Sequence, residues 1–498
     1  MAAEQLESMP LLAGGGGAAA AAGGGGGAPP PAAQQMLLNA AGGGKQRRLS
    51  AASASANLVN TIVGAGMMAL PAAYLSLGLV GGSAVMALVG AMTYFTLDIL
   101  ARSTVLTDCW TYGDLARVVM GKAHASLLKG SIVFNNFGLL TAYMIIIADI
   151  LVGADPPPGA PAADADASRG VLPMIWPGVR AFRSRAAVMA AVAALLILPN
   201  ALRKRMDGLK VQSVVSMSLA TSFIVLTVAL AALKLWRGEV SPELKLFPDF
   251  DRPAVEVALT LITAVPILMT ALVCHYNAHP IFAEIRKPTM ARLRAVTSAS
   301  VSGAAVIYVA IGIFGYTLFN KDTKADVMQN YVRANIAGLV GSRAAALICD
   351  AVRVAYALSL ILSFPLVNFG MRDNIFLMID GWAQRSRRGA RAATAAAPQG
   401  GVDPPPAVFY AVTVLTMVAT YLAFLLIPDI WIAFELVGGT AAVYLAYVLP
   451  CLIQLELYPA ERGRANGVFA YVIIFFGAVV ALCAVYQTAK DVASARGG

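Results

Sequence analysis

Asn57-Leu58-Val59-Asn60-Thr61-Ile62-Val63-Gly64-Ala65-Gly66-Met67-Met68-Ala69-Leu70-Pro71 contains no charged residue, yet it holds two asparagines, two glycines and a proline. It sits within 49 consecutive residues, Leu49 to Leu97, that lack Asp, Glu, Lys and Arg. A mostly apolar run of 18 or more residues is long enough to cross a bilayer as a helix, so this run holds two spans. Inside hydrocarbon every backbone N–H and C=O needs a partner. A break within a span is therefore tolerated only where protein or a water-filled cavity surrounds it. A second interrupted stretch, Cys274-His275-Tyr276-Asn277-Ala278-His279-Pro280-Ile281-Phe282, follows five spans later.

Further uncharged windows run over 130–148, 186–202, 211–233, 257–283, 295–320, 354–371, 404–428, 436–455 and 465–489. With the first pair they give eleven spans near the ~20 residues that a helix needs to cross the bilayer, whereas a barrel would show ~10-residue alternation. The expected fold is an all-α membrane protein with 11 transmembrane helices. Composition agrees: 58% of the 498 residues are hydrophobic and 13% charged, half the charge of a usual soluble chain. This excludes a soluble enzyme, a disordered scaffold, and a nucleic-acid binder whose net charge of +10 would form one basic face. In a membrane protein the excess of Lys and Arg instead marks the cytosolic side. A cytosolic N-terminus places 22 of the 37 basic residues inside, including Arg203-Lys204-Arg205 and the cluster from Arg385 to Arg391. The five cysteines show no disulfide or zinc spacing.

Interruptions at matching places in two halves are the mark of an inverted-repeat carrier, here spans 1 to 5 and 6 to 10 with span 11 added. Gly64-x-Gly66 taken alone could equally serve close helix packing. The segment Asn57 to Pro71 resembles the first helix of the amino acid/auxin permease family, in its branch of sodium-coupled neutral amino acid transporters. Cys274 to Ile281 is similar to that branch's sixth-helix signature, and Arg353 through Phe364-Pro365 to Arg372 to its eighth. The resemblance covers residues 50 to 490. It implies a five-plus-five inverted-repeat fold with broken helices 1 and 6, an amino acid as substrate, and an ion gradient as driving force.

Under that resemblance a sodium ion sits where unwound span 1 meets span 8. The matching positions are Asn60 and the Val63 carbonyl in span 1, and Ser359 and Ser363 in span 8. Such oxygen ligands suit a hard cation without burying a negative charge. A serine in a membrane helix also commonly bonds its own i−4 carbonyl. The substrate carboxylate is expected at the N–H groups of Gly64, Ala65 and Gly66, because free N–H groups at a half-helix start attract anions. Its amino group is expected near Cys274 to Asn277, with Thr61 a further contact. Asn57, three residues before Asn60, shares its face. Asn135 and Asn136 in span 3 either touch substrate or pack.

His275 and His279 stand at i and i+4 with no third metal ligand in view, and unwinding near Pro280 would spoil the spacing. A midplane histidine could instead carry a proton, which keeps H⁺ beside Na⁺ as coupling ion. Asp350 and Arg353 are expected to pair at the outer end of span 8, with Arg353 snorkelling. Asp98 and Asp149 end spans 2 and 3 with no special role. Glu435 lies about 9 Å down span 10, at 1.5 Å per residue.

Residues 1–48, with Gly and Ala alone from Ala13 to Ala28, read as a disordered cytosolic tail. Residues 49–490 form the transmembrane domain and 491–498 a short C-terminal tail. The reading is an ion-coupled symporter of amino acids, with no cofactor beyond the coupling ion and no nucleic-acid partner; an amino acid sensor on the same fold is the alternative. No enzyme motif occurs: His-Glu-x-x-His and Gly-x-Ser-x-Gly are both absent. The tail carries Glu7-Ser8-Met9-Pro10-Leu11-Leu12, the acidic-dileucine form that sorting adaptors read. The membrane is then vacuolar or endolysosomal, or the plasma membrane. Deleting Glu7 to Leu12 should move the protein toward the cell surface in fluorescence images, and an unchanged distribution would dispose of the sorting signal.

Overall fold

The computed structural model describes residues 49–153, 170–203, 210–239, 241–251, 253–388, 404–427 and 429–497. The sorting pattern at Glu7 to Leu12 lies outside them, and so do Lys204, Arg205 and Arg391 of the basic clusters. The first span is split. Helix α1 (Ala51–Ile62) is capped by the Ser50 hydroxyl, which accepts the Ser53 N–H at 3.1 Å. A 3₁₀ turn over Ala65–Ala69 follows, and then α2 (Leu70–Leu77). The halves are bent by 58°. Pro71 accounts for the restart, since at the first turn of a helix its missing N–H costs nothing.

The rods that follow are α3 (Leu79–Thr107), α4 (Tyr112–Leu151), α5 (Arg185–Ala201) and α6 (Lys210–Trp236). The sixth span is α7 (Ala254–Ala271) and α8 (His275–Glu284). Beyond it lie α9 (Met290–Phe319), α10 (Ser342–Arg388), α11 (Pro406–Leu426), α12 (Ile430–Leu457) and α13 (Ala465–Gly497). Among the described residues nine helices are long and apolar enough to cross a membrane, or ten with the bent pair as one span. The apolar stretch 186–202 lies on α5, a shorter helix with a π segment at Ala193–Ile197.

Several rods run past their uncharged windows because a paired charge does not stop a helix. Asp98 lies inside α3, where Arg294 donates to it at 2.8 Å and Arg102 stands 3.3 Å away. The Thr111 hydroxyl caps the start of α4 by accepting the Asp114 N–H, and this long rod turns at Gly121, where φ is 84°. The second interruption also falls earlier than expected. It lies at Leu272 to Cys274, and residues 275 to 284 are helical through Pro280. An interior proline removes a single backbone hydrogen bond, a loss that a packed helix survives.

Contacts between ends define two faces of the bundle. On the near face the chain at Leu49 bonds Glu284 and Arg286, and Arg372 reaches the Ala201 carbonyl at 2.7 Å. On the far face Leu79 bonds the Lys245 carbonyl, and Lys234 donates to the Leu318 carbonyl at 2.6 Å. Between them α4 packs along α10, α6 against α10, and α9 against α1, α2 and α3.

Close approach is specified by glycines. A Cβ on Gly438 would stand 2.0 Å from Thr270 Oγ1 and 2.4 Å from the Pro266 carbonyl oxygen, so α12 touches α7 through backbone there. Gly438→Ala should therefore destabilise the fold by about 1–3 kcal/mol through overpacking, read as a lower melting temperature in detergent. Gly130→Ala, with nothing within 4 Å of its new Cβ, should leave it unchanged, and equal effects would refute the contact.

Candidate functional site

Both interruptions meet at one tyrosine. The hydroxyl oxygen of buried Tyr308, on α9, lies 2.6 Å from the Ile62 carbonyl and 3.1 Å from the Ala271 carbonyl. These are the end carbonyls of α1 and α7, groups that a helix terminus leaves without a partner. Gly66 completes the junction, since a Cβ there would stand 3.2 Å from the Ala271 Cα. The N–H of Val63 still bonds the Val59 carbonyl, and the N–H of Met67 bonds Gly64 at 3.2 Å. The N–H groups of Gly64, Ala65 and Gly66 lie between, at the first turn of the restarted helix, where no upstream helical carbonyl is in register.

A cavity of about 440 Å³ opens at this junction. Asn60, Thr61, Val63, Gly64, Gly66, Asn277, Ser359 and Ser363 all line it, and so do Asn57, Asn135 and Asn136. Ala65 lies in sequence between the lining residues Gly64 and Gly66. Cys274 does not line it: this residue lies in the break itself, its side chain fully buried and its carbonyl accepting the N–H groups of Asn277 and Ala278. The walls extend to Asn57 on α1, Ile281 on α8 and Gly370 on α10, so the cavity runs from the junction toward the near face. Among the described residues no Asp, Glu, Lys, Arg or His lines it.

The serines of α10 bond across to α6. Ser216 Oγ lies 3.1 Å from Ser359 Oγ and 2.5 Å from Ser363 Oγ, and the Ser359 hydroxyl also donates to the Ser216 carbonyl at 2.9 Å. Ser359 is thus tied to the neighbouring helix. Thr61 donates to its own helix at the Leu58 carbonyl, 2.8 Å away. Tyr276 donates to Asn136 at 3.0 Å, which links the start of α8 to α4.

The histidines point elsewhere. His275 Nε2 lies 2.8 Å from Thr96 Oγ1 and His279 Nε2 3.0 Å from Thr104 Oγ1, so both are buried against α3 and outside the cavity. His279 stacks on Tyr112 with the rings 7° from parallel. Among the described residues no group of three His, Cys, Asp or Glu side chains could hold a metal.

At the far end the expected pairing changes. Asp350 pairs with Arg333 at 2.6 Å, whose short helix packs on α10. Arg353 does not snorkel: it is 3% exposed and points inward at the carbonyls of Asp149 and Ile150, at 3.4 and 3.3 Å. Asp149 is no idle helix end, because Arg185 pairs with it and Gln329 donates to it at 2.9 Å. Glu435 is fully buried. Ser216, Tyr143, Tyr308 and Tyr356 were not singled out by the sequence reading. Their one signal is a hydroxyl within an otherwise apolar run.

Residues 47–490 match the family model described as transmembrane amino acid transporter protein, and the chain belongs to that family, the amino acid/auxin permeases. Its members are transporters rather than enzymes. Amino acid transporter AVT6A of Arabidopsis thaliana is 32% identical over 440 residues, which cover 88% of each chain. A Danio rerio protein provisionally named sodium-coupled neutral amino acid transporter 11 is 26% identical, over 86% of this chain and 84% of that one. Vacuolar amino acid transporter 2 of Saccharomyces cerevisiae is 24% identical over 89% and 84%.

The Tyr308 hydroxyl has a measurable role. Tyr308→Phe removes the one hydroxyl proton that the two buried carbonyls share, a loss of about 1–3 kcal/mol. The variant should insert normally and melt several degrees lower in detergent; an unchanged melting temperature would show that the breaks do not depend on this strap.

Proposed function

We propose that this protein is a cation-coupled symporter for amino acids with neutral side chains, working by alternating access. The observation that carries the reading is the uncharged cavity at the meeting of two interrupted helices. A zwitterion brings one charge of each sign, and buried charges need partners. With no ionisable acid or base on the walls other than tyrosine, backbone dipoles and amides must serve. The N–H groups of Gly64, Ala65 and Gly66 receive the carboxylate, and the amino group turns to α8 near Asn277. Cys274 contributes its backbone position in the break. A charged side chain would find no counter-ion, which favours neutral substrates.

The coupling cation would lie among Asn60, the Val63 carbonyl, Ser359 and Ser363, with sodium as the ion, and Ser216 would have to yield its hydrogen bonds to it. A proton is the second reading, favoured by the buried carboxyls at the far end. Spans 1 to 5 and 6 to 10 act as the two repeats, α13 standing outside them within a domain that spans 49–490. The near face is cytosolic, so the cavity drawn here is the inward-facing one. The name of the yeast relative and the tail pattern at Glu7 to Leu12 support a vacuolar or endolysosomal membrane over the plasma membrane.

Purified protein in liposomes should accumulate labelled neutral amino acids when a sodium or a proton gradient is imposed. Binding without accumulation would mark a sensor instead. Asn60→Ala should abolish any sodium dependence, and Gly66→Leu should abolish uptake with normal insertion. Uptake preserved in Gly66→Leu would remove this junction from the substrate path.

A further inference from the structure

Behind the broken turn Ala65–Ala69 a short 3₁₀ turn, Val327–Asn330, packs on it and on α4. Asp326 caps that turn. Its Oδ1 accepts the Met328 N–H at 2.9 Å, its carbonyl accepts the Gln329 N–H at 3.0 Å, and its side chain is 0% exposed. Oδ2 is buried with no hydrogen-bond partner among the described residues. A buried ionised carboxylate with an idle oxygen is far costlier than a protonated one.

The surroundings point the same way. The titratable groups acting on Asp326 are Asp149 from α4, Asp429 just before α12, and Arg353 from α10, with the Tyr356 hydroxyl also close enough to be perturbed. Arg185 of α5 is engaged with Asp149. Gln329, three residues after Asp326, donates to Asp149 and so ties the turn to α4. Three carboxyls thus share two guanidiniums among the described residues, and one bound proton balances them.

We propose that Asp326 is a proton-binding site of the far closure, occupied while the Val327–Asn330 turn seals the pathway and emptied when the turn lifts and water reaches the carboxyl. Burial first, and the nearby Asp149 carboxylate second, push the Asp326 carboxyl well above the usual carboxylate range. The sign of the linkage follows: a group whose pKa is higher in the closed state binds more protons there, so acid favours closure and alkali favours opening. Protonation on the far side therefore biases the carrier toward its near-facing state. The proton enters and leaves from the far side, so it sets the conformational balance and need not accompany the substrate.

This site rests on the alternating-access reading but is testable without any substrate, so absent uptake would count against that reading alone. Met328, 1% exposed, belongs to the turn itself, and Lys321, seven residues earlier, is open to solvent with 67% of its side chain exposed. The experiment labels Met328→Cys in the full chain with a membrane-impermeant thiol reagent from the far side. Its rate is divided by that of Lys321→Cys, which cancels the pH dependence of the thiol. Between pH 8 and pH 5.5 the ratio should fall with acid, by up to about tenfold per pH unit, the limit for one linked proton. In Asp326→Asn, which keeps the Oδ1 acceptor but cannot ionise, the ratio should stay low at every pH, and Asp326→Glu should restore the dependence. A flat ratio in the parent, or the same slope in Asp326→Asn, would overturn the assignment. If Met328→Cys does not fold, hydrogen exchange of the 327–330 backbone in the otherwise unaltered chain reads the same opening, with protection expected to rise as pH falls after correction for intrinsic exchange. Protection indifferent to pH would overturn the assignment equally.

Discussion

A carbonyl that ends a helix partway along a span has lost its helical partner, and this protein has two of them in one place. Ile62 and Ala271 close the first halves of the first and sixth spans, and the Tyr308 hydroxyl lies within hydrogen-bond distance of both. Unpaired polar groups in hydrocarbon cost several kcal/mol each, and α9 supplies one donor that these two carbonyls share. Gly66 against Ala271 lets the two breaks approach, and Gly438 against Thr270 lets α12 press in behind them. The cavity is what remains where two ladders of backbone bonds stop side by side.

That origin explains the division of charge in the molecule. The cavity walls carry hydroxyls, amides and backbone groups, with no carboxylate, ammonium, guanidinium or imidazole. At the far end a buried ionic cluster of Asp149, Asp326, Arg185 and Arg353, with Gln329, joins four elements. A net charge inside the cavity would bind one end of a zwitterion too firmly for release, whereas an ionic closure can respond to the pH of one compartment.

Much of the fold was legible because hydrocarbon imposes a simple length rule. Among the described residues the uncharged windows are largely helical, and the first break falls at Gly64 to Gly66, where glycines and Pro71 place it. The second break was misplaced by several residues, because Pro280 marks a local loss that α8 absorbs, whereas the ladder stops at Leu272 to Cys274 without any glycine or proline. Partnerships between spans were the hidden part. One-letter patterns put Asp350 and Arg353 a turn apart and suggest a pair, yet Arg333 arrives from another helix and Arg353 turns inward. Ser216 and Tyr308 read as ordinary residues of apolar runs, since a hydroxyl gains meaning only from what the opposite helix presents to it.

The central claim is that an amino acid lies where the two interrupted spans meet. A density map of the protein in lipid with a neutral amino acid bound tests it most directly. The account predicts ligand density between Gly64 to Gly66 and Asn277, its carboxylate against the backbone N–H groups and the Tyr308 hydroxyl still at the two end carbonyls. Continuous helices through residues 60–70 and 268–278, or ligand density away from that junction, would contradict it.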